Sequence, residues 1–540
     1  MSDTDGPANV LFVVMDTVRK RNLSVYGYDR PTTPNLEDFA EEARVFEQAV
    51  APAPWTLPVH ASLFTGLYPS QHKATQENPY LEGTTTLAES LSAADYATAC
   101  YSSNAWITPY TNLTDGFDDQ DNFFQVMPGD TLSGPLSKAW KTMNDSDTLR
   151  GFADLLVKMG NTAHEFFAKE GGGDSKTPGI VDRVQEFVAE AEDDDREWFT
   201  FVNLMDAHLP YHPPEEFAEE FAPGVDSTGV CQNSKEYNSG ARDIDDDEWE
   251  DIVGLYDAEI AHIDHHLGRL FDWLRETDRW EDTMVVVCAD HGELHGEHDL
   301  YGHEFCIYDP LVNVPLLVKG PGLDGGERDE ETQVELQDLY HTVLDYAGVD
   351  PEVGGPGVGA DGEAAEPLDP ARSLLSADYR DFASTSGPER TRFSAHAEGD
   401  LDDIAFVDYH QPVVELRQLE SKASDAGITL ETDSRFYSRM RAARRPDAKF
   451  VRNERIPDEA YRLDRDPGET ENLLGADGEV QDDLADEDED DAEAVGDVES
   501  ALGVFEREID GEWDDVGDED VLDDMGEEAK DRLQDLGYLE

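Results

Sequence analysis

The chain has 540 residues, of which 40 are Lys or Arg and 124 are Asp or Glu, so its formal net charge is −84. This charge argues against nucleic acid and against an anionic membrane surface as partners, because both require cationic contacts. Acidic side chains spread along a whole chain are typical of proteins from salt-accumulating halophiles, where dense electrolyte screens the repulsion.

Cysteine usage and apolar runs indicate where the protein resides. Cys100, Cys231, Cys288 and Cys306 show no CxxC spacing, so we expect reduced thiols and not a disulfide framework. The first residues, MSDTDGPANVLFVVMD, lack the basic region of a signal peptide. No stretch approaches about 18 apolar residues, and the prediction is a soluble, cytoplasmic protein without a membrane span.

Strand and helix patterns alternate from the beginning of the chain. The apolar run NVLFVVMDT begins at Asn9 and ends on an acid, which predicts a buried strand with Asp16 at its carboxyl end. Apolar residues at helical spacing predict a helix over residues 33–50. Residues 84–104 predict a helix and then a strand that leads to Asn104.

Two later strands also end on acids. The run WFTFVNLMDAH leads to Asp206, and TMVVVCADHGE leads to Asp290. A long amphipathic helix over 255–276 lies between them, and a further strand is predicted within 314–322. This alternation predicts an α/β fold with a large, mostly parallel sheet sandwiched by helices. Because ligands bind outside the carboxyl ends of such strands, we expect the three acids to share one functional edge.

Composition divides the chain into five predicted parts. The first is an α/β domain over 1–347, followed by a Gly-, Pro- and acid-rich loop over 348–370. A smaller α+β subdomain with a partly antiparallel sheet is predicted over 371–474. Residues 475–500 are an acidic low-complexity segment, predicted to be a disordered or helical surface insertion, and 501–540 a helical tail.

The segment after the third acid-ending strand, CADHGELHGEHDLYGHEF, is rich in metal-ligand residue types. Carboxylate oxygens together with imidazole suit Zn, Mn or a Mg- or Ca-type ion. The pair Asp290 and His291 is the best placed, although polar residues crowd loops in any acidic protein. Asp16 is equally compatible with a helix cap. Asp206 and His208, two residues apart, point to the same face of a strand, or else form a turn before the next proline.

Thr56 lies in PWTLPVHASLFTGLYPSQH, a loop that runs into a helix. One interpretation is a helix N-cap, with Pro58 in the first turn. The other is a nucleophile, since a hydroxyl at a helix N-terminus lies in a positive field beside free N–H groups, and a divalent metal can deprotonate it. Spacing alone is compatible with both.

The segment from Asp16 to His72 resembles the amino-terminal signature of the sulfatase family, within the alkaline-phosphatase superfamily. The family usually shows Cys or Ser, any residue, Pro, Ser and Arg, followed by Leu-x-Thr-Gly. Segments at 199–214, 289–322, 337–349 and 461–474 resemble its later landmarks, so the resemblance extends over about residues 9–475. It implies an alkaline-phosphatase-like fold.

The resemblance implies roles for particular residues. His208 would contact the ester or protonate the leaving group, and His303 falls where many sulfatases have a lysine. On position alone, Asn104 and Tyr301 are further substrate-pocket candidates. The residues implied to hold the metal are Asp16, Thr56, Asp290 and His291.

Two departures from the family pattern affect the expected chemistry. Thr56 stands at the position of the Cys or Ser that sulfatases convert to formylglycine, and threonine cannot form that aldehyde. His60 replaces the motif arginine and is a further pocket candidate. Thr56 instead resembles the nucleophile of phosphodiesterase and phosphotransferase branches. A second metal site is a possible addition, formed by Asp206, His208, His212 and His303.

We therefore expect a metal-dependent hydrolase that cleaves sulfate esters, or phosphate mono- or diesters, through Thr56. The expected cofactor is one divalent ion, or two, of Ca, Mn, Mg or Zn. The expected substrate is a small-molecule or glycan ester. Two alternatives stay open at this point: a phospho-group transferase of the same superfamily, and a non-catalytic glycan-binding protein. The sequence does not specify the leaving group or the oligomeric state.

Overall fold

The computed structural model describes residues 9–76, 78–122, 175–350, 404–475 and 489–509, together with positions 369, 372–376 and 379. The part of the chain before residue 350 is built around an eight-stranded sheet with the strand order β10-β2-β9-β6-β1-β5-β3-β4. A two-stranded ribbon of β7 and β8 lies beside it. The strands are β1 Asn9–Met15, β2 Arg44–Val50, β3 Ala97–Ser102, β4 Asp119–Asn122, β5 Trp198–Leu204, β6 Thr283–Cys288, β7 Leu294–His295, β8 Tyr301–Gly302, β9 Asn313–Lys319 and β10 Arg328–Glu335.

The large sheet is mostly parallel. Strand β1 lies between β5 and β6 and is parallel to both, with Met15 opposite Leu204 and Val14 opposite Cys288. Strand β9 is the exception, because it runs antiparallel to β6 and β2. Every residue of β1, β5 and β6 is buried, as continuous apolar strands require when helices cover both faces of a sheet. The predicted fold class is confirmed.

Helices connect and cover these strands. The longest, α8, has an Asp245 N-cap and three acids in its first turn, which complement the helix dipole. The helices are α1 Pro34–Ala40, α2 Thr56–Thr65, α3 Pro69–His72, α4 Leu87–Ala93, α5 Thr177–Asp193, α6 Glu215–Phe221, α7 Ser234–Asn238, α8 Asp246–Glu276, α9 Asp309–Val312, α10 Asp338–Ala347, α11 Val413–Asp425 and α12 Glu489–Glu508.

The predicted helix over 33–50 is wrong in its second half. Helix α1 ends at Ala40, and Arg44–Val50 forms strand β2 between β9 and β10. The spacing of the apolar residues is compatible with a helix, but pairing with two neighbouring strands satisfies the backbone of this segment and buries both of its faces. Tertiary pairing has overridden the local periodicity.

A second, four-stranded antiparallel sheet lies after residue 404, with the order β11-β12-β13-β14. Helix α12 packs on it, with the Phe505 ring stacked on Phe406 at 4.5 Å between ring centroids. The described end of the acidic segment is therefore helical and buries apolar residues, among them Val495 and Val498. The strands are β11 Ala405–Tyr409, β12 Met440–Arg444, β13 Lys449–Asn453 and β14 Glu459–Tyr461.

Three predicted segments fall wholly or largely outside the described residues. These are most of the 348–370 loop, the acidic residues 476–488 and the tail from 510 to 540. None of the helices in the described ranges combines the length and apolarity needed to cross a bilayer. All four cysteines lie within those ranges, are buried and form no disulfide, as expected from their spacing.

Candidate active site

Two buried carboxylates meet at the carboxyl edge of the large sheet. Asp16 directly follows β1, and Asp290 follows β6 by two residues. Strands β1 and β6 are parallel neighbours, so their carboxyl ends lie side by side. Both side chains are completely buried. The sheet thus brings together two acids from distant parts of the chain.

Each of these carboxylates uses one oxygen for hydrogen bonds and leaves the other without any. Asp16 Oδ2 accepts from the side-chain amides of Asn104, at 2.9 Å, and Asn203, at 3.1 Å. Asp290 Oδ1 accepts from the backbone N–H of His291 at 2.9 Å. Asp16 Oδ1 and Asp290 Oδ2 are buried and have no hydrogen-bond partner among the described residues.

His291 supplies a third buried atom of this kind. Its Nδ1 donates to the carbonyl oxygen of Gly292 at 3.0 Å, which leaves the lone pair on Nε2. Nε2 also lacks a hydrogen-bond partner in the described ranges and lies 3.5 Å from Asp290 Oδ2. Burial lowers the pKa of His291 well below its ordinary value, so the ring is neutral. Asp16, Asp290 and His291 each offer one ligand atom, and these atoms lie within 4.8 Å of one another.

This donor set fits a divalent cation. Carboxylate oxygens with one imidazole nitrogen are donors that Zn and Mn accept, and the carboxylates also suit Mg and Ca. In the absence of a cation, burial and the charge of Asp16 raise the pKa of Asp290 well above its ordinary value. A positive ion would relieve both effects, and the three unbonded buried atoms are positioned to receive it.

The loop that carries Asp290 and His291 is held by a close backbone approach. A Cβ atom at Gly292 would lie 2.0 Å from the carbonyl oxygen of Pro310, so only glycine fits at this position. The Gly292 N–H donates to the Leu311 carbonyl oxygen at 2.8 Å. These contacts hold the two candidate ligands at the sheet edge.

Thr56 is the first residue of α2, and Trp55 occupies the N-cap position. The N-cap interpretation of Thr56 is therefore wrong by one residue. The side chain is only 4% exposed, and its Oγ1 accepts a hydrogen bond from Asn104 Nδ2 at 3.3 Å. Because the same amide binds Asp16, the hydroxyl lies next to the candidate metal ligands.

His60 lies beneath this site and does not line the cavity described below. Its Nδ1 donates to the carbonyl oxygen of Thr56 at 2.9 Å and lies 3.7 Å from Asp290 Oδ2. Its ring packs edge-on against Phe201. Burial lowers the pKa of His60 to about 4, so the residue that replaces the family's arginine is uncharged. The predicted pocket residue His60 is therefore not in the cavity wall, because it belongs to α2 itself and its ring packs inward against Phe201.

A cavity of about 880 Å3 opens beside Thr56. The rings of Trp55 and Trp106 form part of its wall, with their centroids 5.8 Å apart in an edge-to-face arrangement. Asn104, His208 and His303 also line it. Three of the predicted catalytic or pocket residues therefore line the same cavity as Thr56.

The two cavity histidines both have Nδ1 engaged. His208 Nδ1 donates to the Leu209 carbonyl oxygen at 2.6 Å, whereas His303 Nδ1 lies 3.1 Å from Glu293 Oε1. The two ring centroids are 5.5 Å apart. Burial opposes protonation of His303, but the carboxylates of Glu293 and Glu304 raise its pKa to about 9. In both residues Nε2 is the ring nitrogen left for a ligand.

Comparison with protein-family models matches the sulfatase family over residues 8–349. The chain belongs to the sulfatase family. Among curated relatives, the multifunctional alkaline phosphatase superfamily protein PehA of Trinickia caryophylli is 25% identical over 486 residues, covering 82% of this chain and 85% of that protein. An arylsulfatase of Clostridium perfringens is 24% identical over 374 residues, covering 63% of this chain and 75% of that protein.

The fold of this sulfatase-family protein is also similar to solved structures. The phosphonate monoester hydrolase of Agrobacterium radiobacter superposes with a TM-score of 0.60 at 19% identity, covering 93% of this chain and 96% of the other. This similarity confirms the alkaline-phosphatase-like architecture. Family membership confirms the predicted enzyme class, a hydrolase of sulfuric or phosphoric esters.

The structure does not assemble the second metal site suggested by the sequence of this sulfatase-family member. Within the described ranges, the cluster of Asp16, Asp290 and His291 is the single group of three or more potential ligands. The four residues predicted for the second site are Asp206, His208, His212 and His303.

Two of those four side chains are engaged elsewhere. Asp206 accepts a hydrogen bond from the Thr177 hydroxyl, and its Oδ1 lies 3.6 Å from Nε2 of His262. His212 Nδ1 lies 2.9 Å from the hydroxyl of Ser227. Helices α5 and α8 thus draw Asp206 away from the other acids, although it follows a strand next to β1.

Tyr301 is a buried structural residue of this sulfatase-family protein and is not among the residues that line the cavity. It is 1% exposed, and its hydroxyl donates to the Cys231 carbonyl oxygen at 3.2 Å. Its backbone N–H donates to Asn238 Oδ1 at 2.9 Å. The prediction from position alone places Tyr301 in the substrate pocket, whereas the structure shows a buried side chain bonded to the backbone of Cys231.

Four further polar residues of the site were missed by sequence reasoning. Asn203 had a detectable signal, since it is an amide inside an otherwise apolar strand. Glu293 follows Asp290 by three residues and was one of many acids in its segment. Lys235 and Glu304 form an ion pair in the cavity wall, and no local pattern indicates that pairing.

Proposed function

We propose that this protein is a metal-dependent hydrolase of sulfate or phosphate esters with Thr56 as its nucleophile. One observation supports this most directly. Three buried ligand atoms without hydrogen bonds, on Asp16, Asp290 and His291, lie beside a hydroxyl that shares the Asn104 amide with Asp16. A cation bound there would give all three atoms a partner and would lie close to Thr56.

Asp16, Asp290 and His291 would hold the divalent ion. When bound, the ion supplies positive charge that favours the alkoxide form of a hydroxyl and offsets the charge on ester oxygens. The Asn104 amide keeps the Thr56 hydroxyl on the side of the Asp16 carboxylate. The ten-residue helix α2 begins at Thr56, and its N-terminal field further favours an anion at that position.

The proposed reaction has two steps. In the first, the Thr56 hydroxyl loses its proton to solvent and Oγ1 bonds to the sulfur or phosphorus, while the bond from that atom to the alcohol oxygen breaks and the alcohol oxygen takes up a proton. In the second, water attacks the same atom and its bond to Thr56 Oγ1 breaks, which releases sulfate, phosphate or, from a diester, the phosphate monoester, while a proton from the water restores the Thr56 hydroxyl. A threonine nucleophile needs no oxidation to formylglycine, so this route is open to the chain as it stands.

His303 is the proposed donor to the departing alcohol, with His208 beside it. Both rings line the cavity and have Nδ1 bonded, so that Nε2 is left for the substrate. The partner of His303 is a carboxylate, which stabilises an imidazolium, whereas that of His208 is a backbone carbonyl. A proton donor in this position typically contributes about 10²–10⁴-fold to the rate.

The substrate class is an ester small enough for the cavity beside Thr56. The relatives include a multifunctional alkaline phosphatase superfamily protein and an arylsulfatase, so both sulfur and phosphorus are proposed as reacting atoms. A volume of about 880 Å3 accommodates a small-molecule or sugar ester. The aromatic rings of Trp55 and Trp106 offer an apolar surface for the alcohol part.

A panel of chromogenic sulfate, phosphate monoester and phosphate diester substrates tests the proposal, in high salt with several divalent ions. Thr56→Ala is expected to lower kcat/KM by roughly 10⁴-fold or more while metal content stays unchanged. Thr65→Ala is the matched control, because Thr65 lies on the same helix and its hydroxyl donates to the Ala61 carbonyl oxygen. Thr56→Ala with wild-type turnover would refute the nucleophile assignment.

A further inference from the structure

Glu293 is a buried carboxylate directly behind the cavity histidine His303. It is 0% exposed, and its Oε1 lies 3.1 Å from His303 Nδ1. Its Oε2 is buried and has no hydrogen-bond partner among the described residues. Glu293 does not line the cavity, so it can reach a substrate only through the His303 ring.

The surroundings of Glu293 direct it to this single partner. The Tyr211 hydroxyl lies 3.0 Å from His295 Nε2, and the Tyr301 hydroxyl donates to the carbonyl oxygen of Cys231. Burial raises the pKa values of these two tyrosines, and the nearby Glu293 charge raises them further, so both remain neutral. The neighbouring hydroxyl groups are thus committed elsewhere, and the carboxylate is left to bind His303.

A histidine has two ring nitrogens, and a fixed partner on one determines which faces the ligand. His291 and His208 are each oriented by a backbone carbonyl, of Gly292 and Leu209 respectively. His303 alone of these three is oriented by a side chain, so its orientation can be changed by mutation without altering the backbone.

We propose that Glu293 is a positioning residue that, by accepting the hydrogen bond from His303 Nδ1, holds the His303 ring with Nε2 toward the leaving oxygen of the ester. The role concerns geometry and rests on the proposed function of His303 as the donor to the departing alcohol. Loss of the hydrogen bond lets the ring rotate or adopt the other tautomer, and the donor is then misplaced.

The test compares two esters of whichever acid the wild-type protein cleaves, one with a nitrophenyl and one with an alkyl leaving group. A nitrophenolate departs without a proton, whereas an alkoxide needs one. Glu293→Leu is expected to lower kcat/KM for the alkyl ester roughly 10- to 100-fold, the usual cost of losing the partner that orients an active-site histidine. For the nitrophenyl ester the expected loss is under about threefold.

Two further variants separate positioning from general damage. Glu293→Gln keeps an acceptor oxygen at the same place and is expected to retain most of the alkyl-ester activity. In a His303→Ala background, Glu293→Leu is expected to cause no further loss, since the residue acts only through His303. Glu335→Leu is the control, because it removes a partly buried carboxylate that accepts from the Tyr68 hydroxyl outside the cavity.

Nitrogen-15 NMR of the histidine rings gives a readout that is independent of turnover. A protonated His303 Nδ1 in the wild-type protein, altered in Glu293→Leu and kept in Glu293→Gln, is the expected result. An equal loss of activity on both esters, or an additive loss in the double variant, would overturn the inference. If no ester is cleaved, or if His303→Ala keeps wild-type activity on the alkyl ester, the proposed function of His303 fails and this inference with it.

Discussion

Asn104 donates its side-chain amide to the hydroxyl oxygen of Thr56 over 3.3 Å. The same Nδ2 atom lies 2.9 Å from Asp16 Oδ2. A single amide thereby ties the proposed nucleophile to a proposed metal ligand. Asn104 is 3% exposed and follows strand β3, two strands away from β1 in the sheet, so its position depends on the rigid strand order β1-β5-β3.

Removal of the Asn104 amide should impair both catalysis by Thr56 and metal binding by Asp16. Asn104→Ala is expected to lower kcat/KM roughly 10- to 100-fold and to weaken metal binding. Asn203→Ala is the matched comparison, because Asn203 donates to Asp16 at 3.1 Å but is not bonded to Thr56. It should weaken metal binding with a smaller loss of activity at saturating metal. Equal effects of the two variants at saturating metal would argue against the link to Thr56.

Neutralising one candidate metal ligand should stabilise the metal-free protein. Asp16 and Asp290 are both completely buried, and without a cation their charges repel. Asp290→Asn is therefore expected to raise the unfolding free energy by about 0.5–2 kcal/mol in a chelator, as replacements of functional residues commonly do. With excess divalent ion the wild-type protein should instead have the higher unfolding free energy, because only the wild-type protein gains binding energy from the ion.

Denaturant unfolding with and without the ion measures this reversal. Asp338→Asn is a suitable control, since that buried carboxylate accepts from Arg372 Nε at 2.7 Å and has no link to the metal candidates. It should destabilise the protein under both conditions. An Asp290→Asn protein that is less stable than wild type in a chelator would contradict the repulsion between the two acids.

The ion pair between Lys235 and Glu304 should give a defined pH dependence of stability. Burial would raise the pKa of Glu304, but the Lys235 ammonium, with a smaller effect from His303, lowers it to about 2. A depressed carboxyl pKa contributes stability above its unfolded value, 4.5, and that contribution is lost as the pH falls toward 2. Lys235→Met is expected to cost about 3–5 kcal/mol at neutral pH, because it leaves a buried charge unpaired.

Urea unfolding of the wild-type and Lys235→Met proteins across this pH range tests the predicted direction of the pH dependence of stability. The difference between wild type and Lys235→Met should shrink as the pH falls from 4.5 toward about 2, the range between the pKa values of Glu304 in the unfolded and the folded chain. The double variant Lys235→Met/Glu304→Gln should recover most of the lost stability at neutral pH. A difference in unfolding free energy that stays constant at all pH values would show that it does not come from the Lys235–Glu304 ion pair.

The charge of −84 should make the folded state depend on salt. Electrolyte shortens the screening length from about 10 Å at 0.1 M to about 3 Å at 1 M, so repulsion between surface acids weakens steeply. The melting temperature is expected to rise continuously between 0.1 and 2 M KCl. Sucrose at matched water activity is the control, and equal stabilisation by both solutes would remove electrostatic screening as the cause.

Part of the candidate site could be predicted because strand ends are local features. The runs before Asp16 and Asp290 are apolar and β-branched, which is typical of strands buried on both faces. Parallel strands share a carboxyl edge, so two acids at strand ends can be expected at one place. The same argument failed for Asp206, since the side chain turns toward Thr177 and His262, on helices that local periodicity cannot place.

Other differences between the sequence-based predictions and the structure also come from contacts between distant segments. Periodicity indicated a helix over residues 33–50, but β2 pairs with β9 and β10, and pairing between distant segments leaves no trace in local spacing. His60 matches a motif position near the nucleophile, yet the helix turn from Thr56 to His60 points the ring below the cavity. Lys235 lies in the cavity wall, where it pairs with Glu304, and no local sequence pattern indicates this contact.

The sequence by itself determined the fold class, the family and the acids at two strand ends, because these follow from residue periodicity and from motifs in their chain order. Only the tertiary structure decided which polar atoms converge. It brought Asp16, Asp290 and His291, which the family resemblance already implied as metal ligands, into one buried cluster and separated Asp206 and His212 from it. The physical reason is that convergence depends on strand order, helix packing and side-chain partners from distant segments, and these are properties of the folded chain as a whole.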